Sequence, residues 1–355
     1  MSRYVPTGKS AAGGIGTVIF CDDTNLDRKV AVKFVQPGVE QRRLLHELAA
    51  LQRVRSKHVV EIFDVAYFNP GNQKGIVQEF IDGEDLSDQM GKLTPDNAFV
   101  RVIFQLASGL ADIHAVDVVH RDIKPQNVRV DNEGVLKIID FNLARPNDDA
   151  HTHGFIGTPG FAAPELYGHG RVEFDSAIDM YALGVTAWTL LFGRRLPPLL
   201  ISRPPQPDAW KRAGGGFPVP PDSIDPELVS LLLACISDSP ASRPSSSAVA
   251  ERAGRVLLRG QHRALFVDEA GGTHELSARI SRAKLSGPHG TVAVRYDGLD
   301  FLVDRVSGEV WVNNTEISQG MSLPKGCVIA LGGPARPASD RAFVTMDISH
   351  PEVVV

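Results

Sequence analysis

Apolar positions recur along this chain in two rhythms. From Asp96 to Ala115 the residues Phe99, Ile103, Leu106, Leu110 and Ile113 fall three and four apart. That spacing predicts an amphipathic core helix, with Pro95 where a helix's first turn tolerates it. Leu44, Leu48 and Leu51 repeat the rhythm between Glu40 and Arg53. Elsewhere the period shortens. Val30-Ala31-Val32-Lys33 and Gly75 to Ile81 read as strands, the first with Ala31 and Lys33 on one face. Val128-Arg129-Val130 and Val135 to Ile139 flank the turn Asn132-Glu133-Gly134, which together predict a β-hairpin.

After about Leu258 helical spacing gives way to short strands at Leu265–Val267, Thr291–Tyr296, Phe301–Val303, Val310–Val312, Val328–Leu331 and Phe343–Ile348. Gly, Asp and Asn turns separate them, as expected of a small β-sandwich. Before it, Leu196 to Pro221 is rich in Pro and Gly and predicts an irregular surface loop.

Composition adds bounds. The 355 residues suffice for two or three domains. A net charge of −5 argues against bulk binding of nucleic acid or another polyanion. Cys21, Cys235 and Cys327 lie too far apart in sequence to suggest a disulfide framework or a metal motif, and fit a reducing compartment. No apolar run approaches a membrane span and the first residues lack a signal-peptide pattern, so a cytoplasmic protein is expected.

Chemistry concentrates around the hairpin. Asp122 and Asn127 precede its first strand and Asp140 follows its second, so the turn brings all three to one end. Such a cluster suits a hydroxyl, a metal ion and a phosphate. In phosphoryl transfer the protein mostly positions groups and neutralises charge. Asp122 would accept a hydroxyl proton, Asn127 and Asp140 would hold Mg2+, and Lys124 would stabilise phosphate oxygens. Gly8-Lys9-Ser10 is no P-loop, because Arg3 stands where that motif needs its first glycine.

HRDIKPQN (120–127) followed by DFN (140–142) resembles the catalytic and metal-binding loops of eukaryotic-type (Hanks-type) Ser/Thr protein kinases. The resemblance covers roughly the first 255 residues. It implies an α+β, bilobal kinase fold with an N-lobe over 1–82 and a C-lobe over 83–258, followed by the all-β sandwich over 259–355. In the family pattern GxGxxGxV, Gly13, Gly14, Gly16 and Val18 would cover ATP, with Ala11 replacing the first glycine. Lys33 of VAVK would hold the α- and β-phosphates, and Glu47, placed before the fourth strand as the family expects, would pair with it; Glu40 falls too early. Ala31, Gln78 at the gatekeeper position, the backbone of Glu79 and Ile81, and Arg129 would surround adenine, while Asp85 would meet the ribose hydroxyls. Arg129 stands where the family has Leu or Met, its stem expected under the base and its head in water. Asn142 replaces a glycine, tolerable at about 1 kcal/mol because Asn readily adopts positive φ.

GTPGFAAPE (157–165) resembles the substrate-docking end of Ser/Thr kinases, an element that small-molecule kinases of related fold lack. Thr158 would then bond Asp122 and Lys124, and the substrate would be a protein serine or threonine. His120, Phe141 and Leu51 would stack as a regulatory column. Asp179 would brace the loop backbone and Arg243 would pair with Glu165. Thr152 is the candidate autophosphorylation site, with Arg121 receiving the phosphate, although Asp148 and Asp149 offer charge without modification. The C-terminal segment is somewhat similar to a forkhead-associated domain, a phosphothreonine reader. Ser281-Arg282-Ala283-Lys284 resembles its SRxH with Lys284 for the histidine, and SGEVWVN (307–313) is one residue short of its second motif and lacks the Asn-Gly. A phosphoprotein ligand would meet Ser281 and Arg282 first. Two other readings stay open: a nucleotide-binding pseudokinase scaffold and a small-molecule phosphotransferase.

Overall fold

The computed structural model describes residues 3–13, 16–34, 48–49, 51–68, 73–141, 158–167, 175–193 and 224–350. The chain divides into two compact units, Met1–Glu251 and Arg252–Val355. The first begins with an antiparallel sheet of β1 (Tyr4–Gly13), β2 (Gly16–Asp23), β3 (Arg28–Phe34), β4 (Ile62–Phe68) and β5 (Gln73–Glu79) in the order β1-β2-β3-β5-β4. Val30 and Val32 pack with Tyr4, Cys21 and Val77 on one face. The alternation of β3 sends Ala31 and Lys33 to the other, where the site lies.

Helix α1 (Asn97–His114) buries Phe99, Ile103, Leu106, Leu110 and Ile113 completely. Asp96 caps it by accepting from the amide of Ala98 at 2.8 Å, which satisfies one of the amides a helix start leaves without a partner. Pro95 therefore precedes the cap instead of occupying the first turn. Gly109 lets the helix lie close to the strands, since a Cβ there would sit 2.9 Å from Ile138 and 3.0 Å from His58. A second sheet, β6 (Gly83–Asp85), β7 (Val128–Asp131) and β8 (Leu136–Ile138), has β7 in the middle. Its hairpin closes as the pattern predicts: Asp131 Oδ1 accepts from the amides of Glu133 and Val135 at 2.9 and 2.8 Å, and Gly134 takes φ +81. Helix α2 (Ser176–Phe192) is buried nearly all round, and α3 (Pro226–Cys235) and α4 (Ser246–Leu257) follow. The three cysteines are free and buried. No described helix is long and apolar enough to cross a membrane.

The second unit holds two antiparallel sheets. One orders β10 (Thr273–Leu276), β9 (Ala264–Asp268), β17 (Ala342–Ile348), β16 (Cys327–Leu331), β14 (Val310–Val312) and β15 (Thr315–Glu316); the other orders β11 (Arg282–Ser286), β12 (Gly290–Tyr296) and β13 (Phe301–Gly308). Both contribute to one core, with Phe266, Val344 and Met346 from the first and Val292, Val294 and Val303 from the second. All six expected strands are present. Three further strands, β10, β11 and β15, escaped the sequence pattern because they bury one side chain or none, so no alternation marks them. The division between the two units falls within α4, between Glu251 and Arg252. The physical reason is that the end of that helix bonds to the β-unit: Arg255 Nη1 meets Asp300 Oδ1 at 2.8 Å, and the Gly260 amide donates to the Tyr296 hydroxyl at 3.1 Å.

Candidate active site

Asp179, in the first turn of α2, fixes the loop between α1 and β7. Its Oδ2 accepts from the amide of His120 and its Oδ1 from that of Arg121, both at 2.8 Å. His114 Nε2 lies 3.0 Å from Oδ2, and its Nδ1 lies 3.0 Å from Ser246 Oγ. Burial raises the Asp179 carboxyl, but the His114 hydrogen bond, the electrostatic interaction with the nearby imidazoles and the His120 amide outweigh it and hold the group below the usual carboxylate range. A buried charge so bonded can persist. Arg121 and Asp140 adopt φ +70 and +63, a left-handed backbone that non-glycine residues rarely take. His120 accepts the Asp122 amide at Nδ1 (3.3 Å) and places Nε2 2.8 Å from the Ile139 carbonyl. One acceptor and one donor define neutral imidazole, consistent with the depression of its pKa by burial. Its ring centroid is 4.6 Å from that of Phe141, and Leu51 is buried.

The Asp122 side chain is the hub. The residue is 3% exposed. Its Oδ1 accepts from Thr158 Oγ1 at 2.8 Å, and its Oδ2 from Lys124 Nζ at 2.7 Å and Asn127 Nδ2 at 3.0 Å. Lys124 Nζ also donates to Thr158 Oγ1 at 2.8 Å, so a hydroxyl rests between a carboxylate and an ammonium. Asn127 Nδ2 bonds the Asp122 carbonyl as well, at 2.7 Å, leaving its side-chain oxygen as the atom available to a cation. Across from it Asp140 Oδ1 lies 3.1 Å from Lys33 Nζ. An amide oxygen and a carboxylate are hard donors of the kind Mg2+ takes alongside phosphate and water. Among the described residues no group of three His, Cys, Asp or Glu gathers for a metal, so an ion held here would draw its other ligands from outside the protein.

Lys33 is buried on β3, opposite Val18, and Ala31 faces Gln78 across the β3–β5 pair. The carbonyl of Phe141 is 3.5 Å from Lys33 Nζ. Gly13 and Gly16 pair where β1 meets β2. The Glu79 amide donates to the Glu61 carbonyl at 2.9 Å, where β5 runs beside the start of β4 with Gln78 opposite Ile62. The Glu79 carboxylate is held by Lys137 at 2.8 Å. Ile81 is buried just beyond. Gly14, Glu40, Glu47, Asn142, Asp148, Asp149, Thr152 and the 196–221 insert lie outside the described residues.

Arg129 departs most from expectation. Its head was expected in water, but Nη1 lies 3.1 Å from Asp85 Oδ1 and Nη2 donates to the Gly83 carbonyl. Cross-strand register is the cause, since Asp85 stands directly opposite Arg129 on β6. Desolvation raises the Asp85 carboxyl above its ordinary value, with the Arg129 charge opposing. Outside the loop, Arg243 clamps Glu165 through two bonds of 2.6 and 2.9 Å. The sequence reading passed over His114, for which a basic residue in the last turn of α1 was the available signal. It also passed over the Lys137–Glu79 pair, which no local pattern marks.

In the β-unit, Ser281 accepts from the Tyr296 amide through its carbonyl at 2.8 Å, and its side chain is exposed. The Arg282 side chain is 73% exposed and 4.0 Å from Asp304.

A five-stranded sheet that carries Lys33, with Asp140 and the Phe141 carbonyl against its ammonium and the HRD loop (120–122) braced by a buried helix, defines a kinase-like phosphotransfer architecture. The chain belongs to the protein kinase family: the family model described as protein kinase domain matches residues 7–253. It is 32% identical over 290 residues to a serine/threonine-protein kinase of Corynebacterium efficiens, covering 77% of this chain and 49% of that one. It is 36% identical over 199 residues to serine/threonine-protein kinase PknA of Corynebacterium glutamicum (52% and 41%) and 30% identical over 270 residues to Pkn1 of Myxococcus xanthus (69% and 37%). The chain thus spans about half or less of the length of these relatives.

Proposed function

We propose that this chain is an ATP-dependent protein kinase acting on serine and threonine. The observation that carries the reading is the seat of the Thr158 hydroxyl, 2.8 Å from both the Asp122 carboxylate and the Lys124 ammonium. Asp122 orients a substrate hydroxyl and takes its proton, for which a carboxylate within hydrogen-bond reach is required. Lys124 and Lys33 lower the charge on phosphate oxygens, and Glu47 positions Lys33. Mg2+ would be held by Asn127 and Asp140 and would supply further neutralisation of phosphate charge. Gly13, Gly14 and Gly16 bring backbone close over the phosphates. Val18, Ala31, Gln78, Glu79, Ile81 and the stem of Arg129 form the base pocket, beside Asp85.

The regulatory part of the reading is that Thr152 accepts an autocatalytic phosphate and Arg121 receives it. The β-unit recruits or regulates, with Ser281 and Arg282 first to meet a phosphoprotein. The protein works in the cytoplasm, on protein partners and not on nucleic acid. The forkhead-associated resemblance supports the phosphoprotein ligand, and the names of the relatives support the protein substrate.

The test is intact-protein mass spectrometry after incubation with Mg-ATP, comparing wild type with Asp122→Asn, with peptide mapping and a generic Ser/Thr protein substrate. Phosphoryl gain in wild type alone, or transfer to the protein substrate, is the expected result. Nucleotide binding without any transfer would replace it with the scaffold reading, and transfer to a metabolite alone with the small-molecule one.

A further inference from the structure

The register of the small sheet sets two charged side chains directly opposite each other, Asp85 on β6 and Arg129 on β7. Gly83 permits this close pairing, because a Cβ there would run into the carbonyl oxygen of Val130. The guanidinium is pinned twice, to Asp85 Oδ1 at 3.1 Å and to the Gly83 carbonyl, while its Nε is buried with no acceptor among the described residues. A planar fork makes both bonds from two nitrogens in one fixed geometry, whereas an aliphatic side chain makes neither.

We propose that Arg129 is a specificity-determining residue that relaxes recognition of the ribose 2′-hydroxyl by supplying Asp85 with a partner from within the protein. The proposal rests on the nucleotide-binding reading above. A site built to bond a hydroxyl rejects the analogue lacking it chiefly because its own polar group is then left unpaired. Here the group expected to meet the ribose is bonded before any nucleotide arrives. Losing the 2′-hydroxyl therefore orphans nothing. Both side chains retain solvent access, 30% for Arg129 and 45% for Asp85, so a nucleotide can reach the pair without breaking it.

The experiment is isothermal titration calorimetry of the full chain with Mg-ATP and Mg-2′-deoxy-ATP, for wild type, Arg129→Leu and Arg129→Met, each checked for folding by circular dichroism. Wild type is expected to bind the two nucleotides within about threefold of each other. Either substitution should open a preference for ATP of roughly tenfold, the worth of a hydrogen bond to a charged group. The methionine variant keeps an unbranched stem and serves where leucine fails to fold. Unchanged ratios in the variants, or a tenfold preference already present in wild type, overturn the proposal alone. Absence of binding by either nucleotide in wild type overturns the nucleotide reading and the proposal with it.

Discussion

The loop around Asp122 and the strand start at Arg282 both carry exposed-type residues in kinase- or phosphate-associated motifs, yet the fold treats them differently. Around Asp122, Lys124 and Asn127 from the loop converge with Thr158 from 36 residues further along the chain, and each carboxylate oxygen has a bonded partner. At Arg282 the neighbour across β12 is another arginine, Arg295, and both share the single carboxylate of Asp304 at 4.0 and 3.8 Å. Preorganisation of charge requires convergence from several elements, because a lone surface side chain stays solvated and mobile. The first unit invests its buried polar groups in a site; the second invests its buried groups in a core.

The largest expected effect follows at the hub. Asp122→Asn should lower phosphoryl transfer by about 10²–10⁴ while nucleotide binding persists. Steady-state transfer and calorimetry on the same preparation check this, and equal loss of both would mean that the loop, not the base, had failed. In the β-unit the comparable injury lies in the core. Phe266 is wholly buried between the sheets, and Phe266→Ala should destabilise that unit by about 3–5 kcal/mol. Denaturant-dependent hydrogen exchange of the β9 and β17 amides reads it.

Acid should also weaken the β-unit, in two stages. Desolvation lowers the His262 pKa below 6.5, its ring lying 4.8 Å from that of Phe301. A group neutral when folded contributes stability fully above its unfolded pKa, and this is lost as pH falls from 6.5 toward the depressed value. Glu309, bonded by Arg336 at 2.8 and 2.9 Å and by the Gly333 amide, has its carboxyl lowered from 4.5 to about 2. Its contribution is present above 4.5 and disappears as pH falls toward 2. Thermal unfolding of the β-unit between pH 7.5 and 3 should thus show two successive declines, and His262→Gln should remove the upper one. Arg282→Ala should change stability least, within about ±0.5 kcal/mol, since its bonds are long and exposed. A larger shift by thermal unfolding would show that the Arg282–Asp304–Arg295 group holds the sheet together.

Much of the site was legible because its motifs are contiguous. HRDIKPQN and the hairpin after it mark Asp122, Lys124 and Asn127 in one contiguous stretch, and the APE segment announced both Thr158 and Glu165. The β-unit's strands could be read wherever one face is buried along the strand, as on β12, and could not where an edge strand buries a single side chain, as on β10 and β11.

By itself the sequence determined the order of elements, the catalytic-loop chemistry and the family, since periodicity and motif spacing are properties of neighbours along the chain. Only the tertiary structure decided which long-range polar pairs form. His114 with Asp179, Lys137 with Glu79, and Arg129 with Asp85 are separated by 65, 58 and 44 residues, and their pairing depends on how helices pack and which strand register brings two charges opposite each other. No residue in these pairs carries a local mark of its partner, because burial and cross-strand register exist only once the chain has folded.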